Sequence, residues 1–296
     1  MPLTLMSLRQ SFSAYIRLMR LDKPTGILLV LFPCWWGLLI AQKHGIHWKL
    51  MLVFAVGTLL TRTAGCIIND LFDQEFDKQV ARTKNRPLAS GELSNKQAII
   101  VLGIVFALAA PLLFFLPVGA IYIALASLVL MIIYPNMKRI TFLPQVFLAF
   151  TINWGALVAW AAVGRGIGFP HVLSLGILYF GLIFWTLAYD TVYAHQDRED
   201  DEDAGVKSTA LLLGDATKEY VQWFYKGAFT SIAIAGLGSS IHILFFFFLG
   251  IAAFMVFRNV EDLDFDNSES CAKHFKMQMT IGALITAGFI VGRLLY

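Results

Sequence analysis

The sequence predicts an all-helical membrane protein with nine transmembrane helices, organised as a single polytopic domain over residues 1–296. Three observations predict it. First, 58% of the residues are hydrophobic and only 15% charged, whereas a soluble chain carries about 25% charged residues. Second, the apolar residues gather in runs of roughly 17 to 22 residues, the length a helix needs to cross a bilayer. Third, the basic residues collect on alternate connections between those runs.

The N-terminal stretch MPLTLMSLRQSFSAYIRLMRLDKP lacks the clean apolar core and small-residue cleavage site of a secretory signal. Its apolar positions Leu8, Phe12, Tyr15, Ile16 and Met19 recur at three and four. That spacing predicts an amphipathic interfacial helix over 1–22. The nine spans follow at roughly 24–42, 49–68, 97–116, 118–134, 142–163, 170–189, 221–239, 241–257 and 277–295. Leu116-Pro117-Val118 and Gly238-Ser239-Ser240 allow only tight turns between their flanking spans. Two connections are long, 69–96 and 190–220. Neither is rich in Gly, Ser or Pro, and both carry apolar residues at intervals, so short helices are expected in them. Long ordered loops in a compact protein are usually functional. The Phe245–Phe248 run is expected to face lipid, and 258–276 to be a charged loop with a short helix.

With nine spans, the N-terminus, both long connections and the other loops on that side carry 17 of the 23 Lys and Arg. The opposite side carries Lys43, Lys49, Arg165 and Arg293. The basic face is therefore expected to be cytoplasmic. No basic cluster interleaved with aromatics occurs in a soluble segment, which argues against nucleic-acid binding. Cys34, Cys66 and Cys271 lie far apart, without CxxC or zinc spacing.

Within the long connections, segments 69–77 and 190–203 hold 11 of the 20 acidic residues. In NDLFDQEFD, positions Asn69, Asp73 and Asp77 fall four apart and stack on one face if the span's helix continues. In YDTVYAHQDREDD, positions Asp190, Tyr193, Asp197 and Asp201 form a second stripe at spacings of three, four and four. A solvated rim is the competing reading of either cluster alone. Two stripes on one membrane face repel unless something positive lies between them. Mg²⁺ suits such oxygen ligands and commonly shares them with substrate phosphates. Arg82 and Arg86 in KQVARTKNRPL, Lys138 in YPNMKR, and Arg20 and Lys23 before the first span supply cations of the kind that bind phosphate. Together these features point to a metal–diphosphate site. Arg62 lies seven residues before Asn69, two turns deeper on the same face. A charge at that depth usually faces the bundle interior, waiting for an anionic substrate group; an internal ion pair or snorkelling is the competing reading.

NDLFDQEFD fits NDxxDxxxD and the second stripe fits DxxYxxxDxxxD. With RTKNRPL and YPNMK, they resemble the UbiA-type intramembrane aromatic prenyltransferases, and the resemblance runs from about residue 15 to 295. RLMRLDKPTG, RTAGCIINDLFD and DREDD…GVKSTA are most similar to the bacterial members that prenylate 4-hydroxybenzoate. The resemblance implies nine helices around a central cavity whose cytoplasmic mouth binds Mg²⁺ and polyprenyl diphosphate. It implies transfer of the polyprenyl group to the ring carbon ortho to the hydroxyl of 4-hydroxybenzoate, in ubiquinone biosynthesis at the bacterial inner membrane. By position, Asn69, Asp73, Asp77, Asp197 and Asp201 match metal–diphosphate residues, and Arg82, Arg86, Lys138, Arg20 and Lys23 match diphosphate-binding cations. Arg62, Asp190 and Tyr193 match the surroundings of the aromatic acceptor, and Asp190 is a candidate to polarise the phenol. Asp70 belongs to the motif but points elsewhere on helical spacing.

Two alternatives stay open at this point. A dihydroxynaphthoate or homogentisate acceptor keeps the fold and the diphosphate site. A divalent-cation transporter needs carboxylates near mid-span, whereas these cluster at one face. A CDP-alcohol phosphatidyltransferase would carry a DGxxAR pattern, which is absent.

Overall fold

The computed structural model describes residues 5–42, 45–164 and 171–296. The first four residues of the expected interfacial helix lie outside these, as do Lys43 and Arg165 of the thinly charged face. The side chains of residues 5–11 and of His171, Leu8 among them, are likewise outside the description. Among the described residues the regular structure is entirely helical: α1 (Leu5–Leu18), α2 (Pro24–Ala41), α3 (Trp48–Asp77), α4 (Asn95–Ala109), α5 (Val118–Ile140), α6 (Pro144–Ala162), α7 (His171–Ala194), α8 (Arg198–Asp203), α9 (Thr209–Leu213), α10 (Thr217–Gly238), α11 (Leu244–Glu261) and α12 (Ser268–Leu294).

Local chemistry sets many of these boundaries. Pro24 and Pro144 occupy the first turns of α2 and α6, where the missing N–H costs nothing. Ser94 and Gln97 form a reciprocal capping box at the start of α4. Asn267 caps α12 by accepting from the Glu269 and Ser270 N–H groups. That cap makes α12 begin at Ser268, while α11 runs to Glu261, so the charged loop expected over 258–276 shrinks to a short link.

Among the described residues, eight helices are long and apolar enough to cross a membrane: α2, α3, α4 with its 3-10 extension to Phe115, α5, α6, α7, α11 and α12. The seventh predicted span corresponds to α10, 22 residues long. Gln222, Lys226, Thr230 and Ser231 lower its hydropathy, so composition marks only the other eight predicted spans, and α10 packs between α7 and α11. Helix α2 is the most enclosed of the spans and packs on α3, α6, α7 and α12, while α4 and α5 lie at the periphery.

The inner helices approach closely because small residues line their contacts. A Cβ on Gly37 of α2 would fall 2.3 Å from the Ala156 carbonyl oxygen of α6, and one on Gly282 of α12 would fall 2.1 Å from the Phe32 ring. Trp36 stacks on Trp185 at 5.0 Å, and its indole N–H donates to Thr286 Oγ1 at 2.8 Å. Phe245 departs from the lipid-facing expectation: it is fully buried, 4.3 Å from the Phe289 ring, while Phe247 is exposed. About half a helical turn separates Phe245 from Phe247, so a run of four phenylalanines serves both faces.

Helix α1 uses a different face from the one its apolar spacing suggests. Ala14 and Leu18 are buried with Ile67, Leu88, Leu93 and Ala98, whereas Phe12 stays exposed. The helix is thus held against α3, α4 and the segment between them.

Candidate active site

Helix α3 does not stop at the end of its apolar run. It continues through Asp77, so the NDLFDQEFD segment forms its last turns rather than the start of a loop. Asn69, Asp73 and Asp77 consequently stack on one face, and Asn69 Nδ2 donates to Asp73 Oδ2 at 2.9 Å. The second stripe is less regular. Helix α7 carries Asp190 and Tyr193 and ends at Ala194, a 3-10 turn spans His195–Asp197, and α8 carries Asp201. The break does not scatter the stripe. Asp190, Tyr193, Asp197 and Asp201 all line one cavity of about 200 Å³ together with Asn69, Asp73 and Asp77.

The expected cations Arg82, Arg86 and Lys138 line the same cavity. Each is already engaged by a carboxylate. Lys138 Nζ lies 2.6 Å from Asp73 Oδ2. Arg86 Nη1 donates to Asp77 Oδ2 at 2.8 Å. Arg82 grips Asp197 through two N–H groups, with Nε at 2.7 Å, and donates to the Tyr193 hydroxyl at 2.8 Å. Burial works against the charge on Arg82, but Asp197 and Tyr193 outweigh it and hold the guanidinium above its ordinary pKa. Burial opposes the charge on Arg86 in the same way, and Asp70 and Asp77 more than offset it. Both arginines therefore stay cationic.

Arg20 and Lys23 are not among the cavity-lining residues. Arg20 is committed to Asp70 by two contacts of 2.7 and 2.8 Å. Lys23 precedes α2; burial, and then the nearby Arg20 charge, push its pKa down. Asp70 turns away from the cavity, as helical spacing implies, and is 1% exposed.

Arg62 lies deeper in α3. It makes no hydrogen bond or ion pair among the described residues, which sets aside the internal-ion-pair alternative. Its guanidinium is within electrostatic reach of Asp190, Tyr134, Tyr189 and Tyr193. Gly26 makes room for it, since a Cβ there would fall 2.9 Å from Arg62 Nη2. Arg62 thus lies near the cavity-lining Asp190 without an ion pair to it among the described residues.

Among the described residues, no three carboxylate, His or Cys side chains converge into a protein-only metal cage. Mg²⁺ does not require one, because it keeps several waters and takes one or two carboxylates plus phosphates. The donor set fits this mode. Asp73 Oδ1 is buried with no hydrogen-bond partner, and Asp201 lines the cavity without an ion pair among the described residues.

Five further polar residues line the cavity: Gln145, outside the motifs, and Thr83, Tyr134, Lys207 and Ser208, which lie within them but carry no role in the sequence reading. Tyr134 had a signal, since it precedes Lys138 by one helical turn in α5. Lys207 is placed by tertiary bonds, with its N–H donating to the Lys138 carbonyl at 2.9 Å and its Nζ to the Ile140 carbonyl at 3.1 Å.

A model described as the UbiA prenyltransferase family matches residues 30–282. The mitochondrial 4-hydroxybenzoate polyprenyltransferase of Rattus norvegicus is 40% identical over 282 residues, covering 95% of this chain and 75% of the relative. The corresponding protein of Arabidopsis thaliana is 41% identical over 288 residues, covering 97% and 70%. A solved UbiA homolog from Aeropyrum pernix K1 superposes with a TM-score of 0.74 at 18% identity, over 90% of this chain and 97% of that one. A UbiA homolog from Archaeoglobus fulgidus bound to GPP and Mg²⁺ superposes with a TM-score of 0.70 at 17% identity, over 95% and 99%. At such identities these two structures speak for the fold.

Proposed function

The chain belongs to the UbiA prenyltransferase family, and on that premise we propose that it transfers a polyprenyl group from polyprenyl diphosphate to the ring carbon ortho to the hydroxyl of 4-hydroxybenzoate, releasing diphosphate, as a step of ubiquinone biosynthesis. The relatives named 4-hydroxybenzoate polyprenyltransferase support the acceptor. The observation that carries the reading is the stacked arrangement of charge. Two carboxylate stripes and three cations share one cavity, and Arg62, without an ion pair among the described residues, lies two turns from Asn69 on the same helix.

Asn69, Asp73, Asp77, Asp197 and Asp201 would hold Mg²⁺, which supplies charge neutralisation for a diphosphate leaving group. Arg82, Arg86 and Lys138 exchange their carboxylate partners for diphosphate oxygens. They stabilise negative charge as the allylic C–O bond breaks and its electron pair passes to the diphosphate. Arg62 holds the acceptor carboxylate, so that the ring carbon beside the hydroxyl faces the allylic cation, an orientation effect. Asp190 and Tyr193 sit where the phenol would lie and polarise it. Attack forms the new C–C bond, and loss of the ring proton restores aromaticity. The enzyme operates in the bacterial inner membrane, with this mouth toward the cytoplasm.

Mass spectrometry of products from purified membranes given 4-hydroxybenzoate, dihydroxynaphthoate or homogentisate with polyprenyl diphosphate tests the acceptor. Only the 4-hydroxybenzoate arm should yield prenylated product, and product from another acceptor alone would overturn the assignment. Arg62→Ala should raise the KM for 4-hydroxybenzoate by about tenfold or more, the value of a charge-assisted hydrogen bond. The KM for the prenyl diphosphate should stay nearly constant; equal effects on both would reject the role.

A further inference from the structure

We infer that Asp70, the carboxylate of NDLFDQEFD left out of the cavity-facing stripe, is a positioning residue that holds Arg86 toward the diphosphate. The inference rests on the function proposed above. Asp70 follows Asn69 on α3 and is rotated by about 100° from the stripe, which turns it into the protein. Its carboxylate is 1% exposed, and a buried carboxylate needs cationic or hydrogen-bonding partners. It has two. Arg20 Nη2 contacts both oxygens at 2.7 and 2.8 Å, and Arg86 Nη1 reaches Oδ1 at 3.2 Å.

Arg20 is itself fixed from behind. Its Nη1 donates to the Arg17 carbonyl at 2.6 Å, and its backbone has φ +56°, an uncommon conformation outside glycine. The turn between α1 and α2 thus bends to present this side chain to Asp70. On the other side, Arg86 spans from Asp70 to Asp77, at 3.0 and 2.8 Å from the Asp77 oxygens. The result is an alternating chain of charges, Arg20, Asp70, Arg86 and Asp77, running from the N-terminal helix to the cavity.

The two carboxylates around Arg86 have different freedom. Asp77 lines the cavity and can change partners when a ligand enters, whereas Asp70 does not line it. Asp70 therefore keeps Arg86 in place after Asp77 is drawn off. A guanidinium has five N–H donors, so anchorage by Asp70 leaves others for phosphate oxygens. Arg20, expected from sequence to bind diphosphate, acts one step removed as the anchor of the anchor.

A binding cycle tests this in the full chain in detergent, titrating geranyl diphosphate with Mg²⁺ and no acceptor. Wild type is compared with Asp70→Asn, Arg86→Gln and the double variant. Asp70→Asn should weaken binding about tenfold in the wild-type background and by less than about twofold on top of Arg86→Gln. Equal losses in both backgrounds would overturn the inference, because Asp70 would then act independently of Arg86. A shift in the Mg²⁺ midpoint as large as that of Asp73→Asn would also overturn it, by making Asp70 a metal ligand. Arg20→Gln reads the same chain from its far end and remains available if Asp70→Asn does not fold. Its weakening should likewise vanish in the Arg86→Gln background, and persistence there would overturn the coupling. Binding without acceptor keeps this outcome separate from the identity of the acceptor, which the product assay decides.

Discussion

At the residue scale the site is a set of carboxylate–cation pairs waiting to be rearranged. Asp73 with Lys138, Asp77 with Arg86, and Asp197 with Arg82 neutralise one another across the cavity. Each pair contains one group suited to a metal and one suited to a phosphate. Metal-bound diphosphate, its charge largely cancelled by the cation, can then replace these contacts at a small cost in net charge. Asp73→Asn and Asp197→Asn should each lower kcat/KM for prenyl transfer by about a hundredfold or more, the scale of losing one electrostatic contact to a transition state. Steady-state assays with Mg²⁺ check this, and wild-type rates in either variant would sink the mechanism. The working face of this site was legible because fourfold spacing on a helix fixes which side chains stack. Arg20 was not legible in the same way. Its destination depends on a backbone bend and on a partner 50 positions away, and composition near a span records neither.

At the element scale, small residues let the helices come close enough to hold these side chains in register. Gly37 faces the Ala156 backbone, which cannot rotate away as a side chain can. Gly37→Val should therefore destabilise the α2–α6 contact by about 1–3 kcal/mol, the usual cost of overpacking. The expected readout is a shorter thermal-inactivation half-life in detergent, with KM values little changed in the surviving enzyme; unchanged half-life would mean the helices separate without cost. The helix boundaries differ from the apolar runs for a related reason. Hydropathy ends at the last apolar residue, but α3 continues through Asp77 because its carboxylates find Lys138 and Arg86 as partners. The opposite happens in the second stripe, where α7 yields to a 3-10 turn at His195. His195 is buried there, with Nε2 3.1 Å from Thr217 Oγ1 at the start of α10. The Ala81 N–H donates to Asp200 Oδ2 at 2.8 Å, tying the two long connections together beside the Arg82–Asp197 pair.

At the scale of the whole molecule, the cavity sits at one end of the bundle, on the face that gathers most of the basic residues. The positive-inside rule predicts that this end faces the cytoplasm. Cys34, Cys66 and Cys271 are all buried, so single exposed cysteines can report topology against a low background. Lys84→Cys, in the segment after α3, should react with a membrane-impermeant maleimide in inside-out vesicles and not in intact cells. Leu295→Cys, at the far end of α12, should show the reverse; the opposite pattern at both positions would invert the orientation and move the site to the other face.

The sequence by itself determined the helical membrane class, the approximate spans, the two stripes and the cations that meet them. Each of these follows from local periodicity and from the large cost of placing polar groups in lipid. The tertiary structure decided which cation each carboxylate holds, that Arg62 makes no ion pair among the described residues, and that Asp70 faces Arg20 and Arg86. Those outcomes depend on how α1, α3, α5 and α7 pack. Charges selected across helices are fixed by distance in space, which helical spacing within one segment does not encode.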